Sequence, residues 1–289
     1  MASLIGIRRR IRSTKNIKQI TKAIQMVSAS KMRKAQEAAL ATRPFTDKLR
    51  DILSRVAGAS MGELKHDLTA VRPEKKILVI LVATGKGLCG GLNVNLSRGF
   101  QNFAQEMDQA EISVVIVGKK ARWVLPRRET TLVARFDSLG ETVTFAETRT
   151  LTDYAMDRYL AGTFDSVYYA YPKFISTLTN EITVQKLLPV TSTPLDPALH
   201  LHNTVEYKIE PDPTALIERL LPYQVEMSLY QAILEARATE HSARMVAMKN
   251  ASDNARDLIS SLTLDYNSAR QSQVTSELLD VTTARMAIE

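Results

Sequence analysis

At 289 residues and 45% hydrophobic content the chain can bury a sizeable core, and its single cysteine, Cys89, excludes an intrachain disulfide. His66, His200, His202 and His241 are too scattered for structural zinc, Met1 to Arg12 hold no apolar signal core, and the longest apolar run, Ile77 to Ala83, is too short to span a bilayer. The net charge of +7 is lopsided, since residues 1 to 50 carry 13 Lys or Arg against Glu37 and Asp47, a local +11 that leaves −4 for the remainder.

No glycine or proline occurs from Ile7 to Arg43, which predicts a first helix of about 55 Å at 1.5 Å per residue. Its apolar residues Leu4, Ile7, Ile11, Ile17, Ile20, Ile24 and Val27 recur at threes and fours, with Thr14 filling the gap. That pattern predicts a narrow seam for one partner helix. The charges at Arg8, Arg9, Arg10, Arg12, Lys15, Lys18 and Lys22 are spread around the same helix without aromatic residues between them. A solvated face, a nucleic-acid surface and an acidic protein partner all carry such a block, but the spread is poor for groove readout and adequate for an acidic collar.

The middle of the chain reads as alternating strand and helix. Strands are expected at Lys76 to Ala83, Ile112 to Val117, Thr131 to Phe136, Ser166 to Tyr171 and Ile182 to Leu188, and helices at Leu92 to Met107 and Thr144 to Leu160. A mostly parallel, Rossmann-like sheet of four to five strands follows. Gly85, Gly87 and Gly90 match G-x-G-x-x-G between the first strand and its helix, the context of a dinucleotide fingerprint. The acidic residue that would hold the ribose is missing, because the second strand ends in Val117-Gly118-Lys119. A tight strand-to-helix turn is therefore expected, and no Ser or Thr follows Lys86 to make a Walker A loop. Cys89 has no base near it in sequence and reads as structural, His241 as a surface or interface group, and the Glu206/Glu210 pair lacks a pocket. No cofactor or metal is expected.

Pro189, Pro194, Pro197, Pro211 and Pro213 mark a linker to the last helix, with Asp212 a candidate cap and Pro222 a site of slight distortion. No glycine or proline occurs from Tyr223 to Glu289, about 100 Å of helix. Val225, Leu229, Ala232, Ala236, Ala243, Ala247, Ala255, Leu258, Leu262, Ala269 and Val281 form its stripe, and small residues from Ala236 to Gln273 are expected to give a smooth outward face. The reading is thus α/β, a long antiparallel coiled coil of N- and C-terminal helices (1–58 and 210–289) plus a Rossmann-like central α/β domain (75–205).

Three segments spanning the chain resemble gamma subunits of F-type ATP synthases. Ile7 to Asn16 running into Ile20 to Gln36 resembles their opening helix, Gly87-Leu88-Cys89-Gly90-Gly91-Leu92-Asn93 is similar to their central loop, and Glu240 to Ala255 continuing through Tyr266 to Leu278 resembles their last helix. The chain departs from the usual pattern at Ile24-Gln25, Gly85-Lys86 and Ala284-Arg285. The resemblance implies a non-catalytic rotor shaft that couples proton-driven c-ring rotation to the catalytic beta subunits. It implies one copy per complex, inside a hexameric ring of alpha and beta subunits and resting on epsilon and the c-ring, with no nucleic acid and no lipid insertion. Carried over by position, Lys22, Ile24, Arg244, Arg270, Gln271, Thr275 and Glu277 contact beta subunits, and Tyr207 and Glu210 touch the c-ring. The lack of a transit peptide adds the expectation of a peripheral position on the cytoplasmic face of a bacterial inner membrane.

Overall fold

A computed structural model describes residues 4–59, 66–120, 124–125, 130–137, 139–140, 142–190 and 213–286. The elements are α1 (Leu4–Ala59), β1 (Lys76–Val82), α2 (Leu92–Glu106), β2 (Glu111–Val117), β3 (Thr131–Phe136), α3 (Phe145–Leu160), β4 (Ser166–Phe174), β5 (Asn180–Leu188) and α4 (Pro213–Met286). The helix α1, 56 residues long in all, contains Pro44, and α4 contains Pro222. A proline removes one backbone donor, and tertiary packing on either side can outweigh that loss. Leu49 and Leu53, beyond Pro44, are both buried.

The described chain divides into two compact units, Ser30–Ala243 and Met1–Ala29 with Arg244–Glu289. In the larger unit the five strands lie in the order β3-β2-β1-β4-β5, parallel except for the antiparallel β4–β5 pair. Every residue of β1 and β2 after the first is buried, which is why both read as continuous apolar runs rather than alternating ones. Ile77, Val79 and Leu81 face α2 through Leu96, Phe100 and Phe103. Leu78, Ile80 and Val82 face α3 through Leu151, Ala155 and Tyr159. The start of α3 is set by a capping box between Thr144 and Glu147, whose carboxyl is held below its ordinary value by hydrogen bonds from the Thr144 backbone and hydroxyl.

The same face of the sheet also takes α4, through Leu221, Val225, Leu229, Ala232 and Ile233. Residues 231–242 are buried on every side, so Ala236 to Ser242 belong to the core of this unit and not to a smooth outward face. A helix wedged between a sheet and a second helix has no solvent side, and small residues there allow close approach. The second helix is α1, and the pairing is antiparallel: Phe45 meets Tyr223 edge to face and Ala39 O accepts from Gln231 Nε2 at 3.1 Å. One polar layer crosses this packing. Arg43 pairs with Glu235 at 2.9 Å, Gln231 donates to the same carboxylate at 3.1 Å, and Thr42 bonds Gln231. Tyr169 and Tyr171 stack nearby at 5.5 Å between ring centroids, and burial pushes the Tyr169 phenol up to about 12 and raises that of Tyr171 further.

In the smaller unit the seam departs from the expected one. Along α1 the buried positions are Ile7, Thr14, Thr21 and Ser28, a strict seven-residue spacing, whereas Ile17, Ile20 and Val27 are about half exposed (51%, 59% and 54%). A two-helix coil is held in register every 3.5 residues, so the apolar stripe, which slips behind that register after Thr14, rotates off the contact. The threonines bury their hydroxyls by bonding carbonyls one turn back, Thr14 to Arg10 O and Thr21 to Ile17 O. On α4 Met248, Ser252 and Ala255 are buried and Leu262 and Ala269 half-buried, but Leu258 and Val281 are exposed. From Arg270 to Met286 every residue is exposed.

Candidate functional site

The glycine-rich loop lies at the C-terminal edge of the sheet, where open α/β folds place their ligands. Its path is set by backbone bonds: Ala83 N donates to Val117 O at 2.9 Å and Lys120 N to Thr84 O at 3.1 Å, while Asn93 Nδ2 ties Thr84 Oγ1 to α2 at 2.8 Å. Gly118, with φ +100°, sits where a Cβ would come within 2.6 Å of Ala83 O. The position after β2 is therefore occupied by a close backbone crossing, which accounts for the glycine found there in place of a ribose-binding acid. Leu88 and Gly90 both take left-handed backbone, at φ 63° and 62°, and Cys89 between them is buried.

Two consecutive amides of this loop do what a phosphate-binding loop does, but toward the chain's own carboxylate. Gly85 N donates to Glu240 Oε2 at 3.0 Å and Lys86 N to Glu240 Oε1 at 3.1 Å. Arg237 completes the arrangement, with Nη1 2.9 Å from Glu240 Oε2 and Nη2 donating to Leu139 O at 3.2 Å. Both side chains are almost fully buried, at 8% and 5% exposure. A cleft of about 320 Å³ opens beside them, bordered by Lys86, Lys119, Asp137 and His241. His241 is buried rather than a surface group, because it follows Glu240 into this packing. Nothing in the sequence links positions 85 and 240; the only available signal was the i, i+3 pair Arg237/Glu240 on a stretch of helix otherwise rich in small residues.

A nucleotide would have to place its pyrophosphate where Glu240 already lies, against a negative charge held by two amides and a guanidinium. Titration of the isolated chain with NAD, NADH or ATP in a calorimeter should accordingly give no heat of binding at millimolar nucleotide. Micromolar affinity for any of them would show that Glu240 is displaced.

The residues expected to meet partner subunits are distributed differently. Lys22 is exposed and its Nζ donates to Gln25 Oε1 at 3.3 Å, and Ile24 is half-buried. Arg270, Gln271, Thr275 and Glu277 are all exposed on the final stretch of α4. At 100° per residue Arg270 and Glu277 share one face, and Gln271 and Thr275 the neighbouring one. Thr275 Oγ1 donates to Gln271 O at 2.9 Å and Gln273 Nε2 to Glu277 Oε1 at 2.9 Å, which fixes two of these side chains along the helix. Arg244, by contrast, is only 7% exposed. Tyr207, Glu210 and the Glu206/Glu210 pair lie outside the described residues, as does Asp212. Among the described residues no helix is long and apolar enough to cross a membrane, and no cluster of His, Cys, Asp and Glu could hold a metal.

The ATP synthase family model matches residues 3–288. The ATP synthase gamma chain of Dehalococcoides mccartyi is 43% identical over 282 residues, 97% of each chain, and that of Pelotomaculum thermopropionicum 42% identical over 291 residues, the whole of both. Among solved structures, a chain from the Euglena gracilis mitochondrial ATP synthase, in its OSCP/F1/c-ring assembly in rotational state 3, superposes with a TM-score of 0.70 at 20% identity, covering 99% of this chain and 94% of that one.

Proposed function

The chain belongs to the ATP synthase gamma-chain family, and from that premise we propose how its geometry serves a central-stalk rotor. As a member of that family it is a non-catalytic subunit of an F-type ATP synthase. In the proposed arrangement α1 and α4 turn inside a hexameric ring of alternating alpha and beta subunits. The α/β domain and the foot of the shaft rest on epsilon and the c-ring, with one copy per complex, peripheral to the cytoplasmic face of a bacterial inner membrane. Lys22, Ile24, Arg244, Arg270, Gln271, Thr275 and Glu277 meet the beta subunits, and Tyr207 and Glu210 reach the c-ring.

The observation that carries this reading is the end of α4. Arg270 to Met286 is a stretch of helix with no buried residue, although it displays Leu278, Leu279, Val281 and Met286 at 60 to 80% exposure. An isolated helix of that length is marginal in water, and apolar side chains on it call for a surrounding protein. The basic residues spread around α1 support the same reading, since they complement acidic loops on a protein collar. Torque then passes without chemistry at this chain: its orientation biases which conformation each catalytic subunit populates.

Affinity purification of the tagged chain from its native membranes tests this directly. Alpha, beta and epsilon homologues and the c-ring should co-purify, and quantitative mass spectrometry should return one copy of the tagged chain per complex. Elution of the chain without alpha and beta, under conditions that keep the membrane enzyme active, would defeat the assignment of partners.

A further inference from the structure

Between Arg237 and Ser242, in less than two turns of α4, four side chains bond the backbone of a strand or of loops beside the sheet. Glu240 takes the amides of Gly85 and Lys86 after β1, Arg237 the carbonyl of Leu139 after β3, Thr239 the carbonyl of Pro172 within β4 at 3.0 Å, and Ser242 that of Thr177 in the β4–β5 turn. Their partners come from three of the five strands or the loops that follow them, and Glu240, Arg237, Thr239 and Ser242 are all buried. Apolar packing of α4 on the sheet resists separation, but it is non-directional. Hydrogen bonds weaken steeply once their angles are lost, so a belt of them resists rotation of the helix about its own axis.

We infer that Glu240, oriented by Arg237, is a torque clamp: it fills the anion position of the glycine-rich loop as an internal ligand and locks α4 to the α/β domain against rotation. Two charge-assisted bonds from consecutive amides make it the strongest member of the belt. The chemistry of the loop is thereby reassigned, from holding a phosphate to holding the helix that must not slip. Glu240 is a positioning residue, since it touches no nucleotide and acts only on the relation between helix and sheet. The clamp itself is a feature of the isolated chain, but its role in coupling rests on the rotor reading above.

Two measurements separate those levels. In the full-length chain, Glu240→Ala should speed amide exchange at Gly85 and Lys86 by about tenfold or more, with exchange along β1 unchanged, because each lost bond was made to a charged group. Glu240→Gln, which keeps an acceptor oxygen but not the charge paired with Arg237, should fall between the two. In the complete enzyme in sealed vesicles, the ratio of protons pumped to ATP hydrolysed should drop by about twofold or more in Glu240→Ala and less in Glu240→Gln, since slip at the clamp wastes turnover rather than preventing it. Unchanged exchange at Gly85 and Lys86 in both variants would show that the contact is not held in solution. Faster exchange with a wild-type pumping ratio would show that the contact holds the helix but carries no torque. Failure of the rotor reading would look different, as absence of the variant and of the wild-type chain alike from the assembled enzyme.

Discussion

Replacing Arg270 by alanine should lower ATP turnover and ATP-driven proton pumping of the assembled enzyme together, by a factor within roughly 5 to 150, while nucleotide affinity at the catalytic sites stays within about twofold. Arg270 is exposed on the stretch of α4 where the described chain buries nothing, so its truncation removes no packing and no fold stability within the subunit. Whatever it contributes is contributed to a partner. A guanidinium presents a planar fork of donors that matches a carboxylate or paired carbonyls, and beside Gln271, Thr275 and Glu277 it is the one cationic group able to donate a bidentate contact. A contact made in one rotary position and lost in the others stabilises that position alone. Removing it shifts the balance among conformations by about 1 to 3 kcal/mol without altering any group that touches nucleotide. The check is steady-state hydrolysis, pumping in vesicles and equilibrium nucleotide binding on the same preparation. Wild-type turnover in a normally assembled variant would reduce Arg270 to a solvated shaft residue.

Hydrogen exchange on the isolated chain should divide it sharply, with amides of Lys76–Val82 protected at least about a thousandfold more than those of Ile7 to Ala29 and Asn254 to Met286. The β1 strand is buried on both faces and opens only with the whole α/β unit, at a cost within the usual range of about 5 to 15 kcal/mol. The smaller unit has no such reserve. Thr14, Thr21 and Ser28 occupy seam positions where a stable coil would carry leucine or isoleucine, and each forgoes several methylenes at about 0.8 kcal/mol apiece. Beyond Ala269 the helix has no buried residue from which to draw stability at all. A difference of about 4 kcal/mol in opening free energy gives the thousandfold contrast. In the complete enzyme the same segments should become protected as the ring covers them. Equal protection of all three segments in the isolated chain would mean that the coil is self-sufficient, and that its exposed apolar residues need no housing.

The long helices were legible because glycine and proline interrupt them at so few points, and the strands because β1 and β2 are unbroken apolar runs bounded by turns. Element limits followed to within a few residues: Thr131–Phe136 and the start of α2 at Leu92 were read as they stand, and β4 and β5 each extend slightly further into their shared turn. The helix continues past Pro44, where buried Leu49 and Leu53 offset the proline's local cost. The seam of α1 misled. Ile17, Ile20 and Val27 are the most apolar residues available, but which face of a helix meets its partner depends on supercoil register, and that is a property of two chains of side chains at once.

The family, the α/β pattern with its two flanking helices and the incomplete nucleotide fingerprint are all written in local order, as motif, period and the residue types at turns. What fills the incomplete fingerprint depends instead on the fold. Gly85 and Glu240 are 155 positions apart, and their meeting depends on α4 crossing the C-terminal edge of the sheet with Arg237 turned toward Leu139. A carboxylate on a helix has no preferred partner until the fold brings two aligned amides within 3.1 Å and removes the water between them.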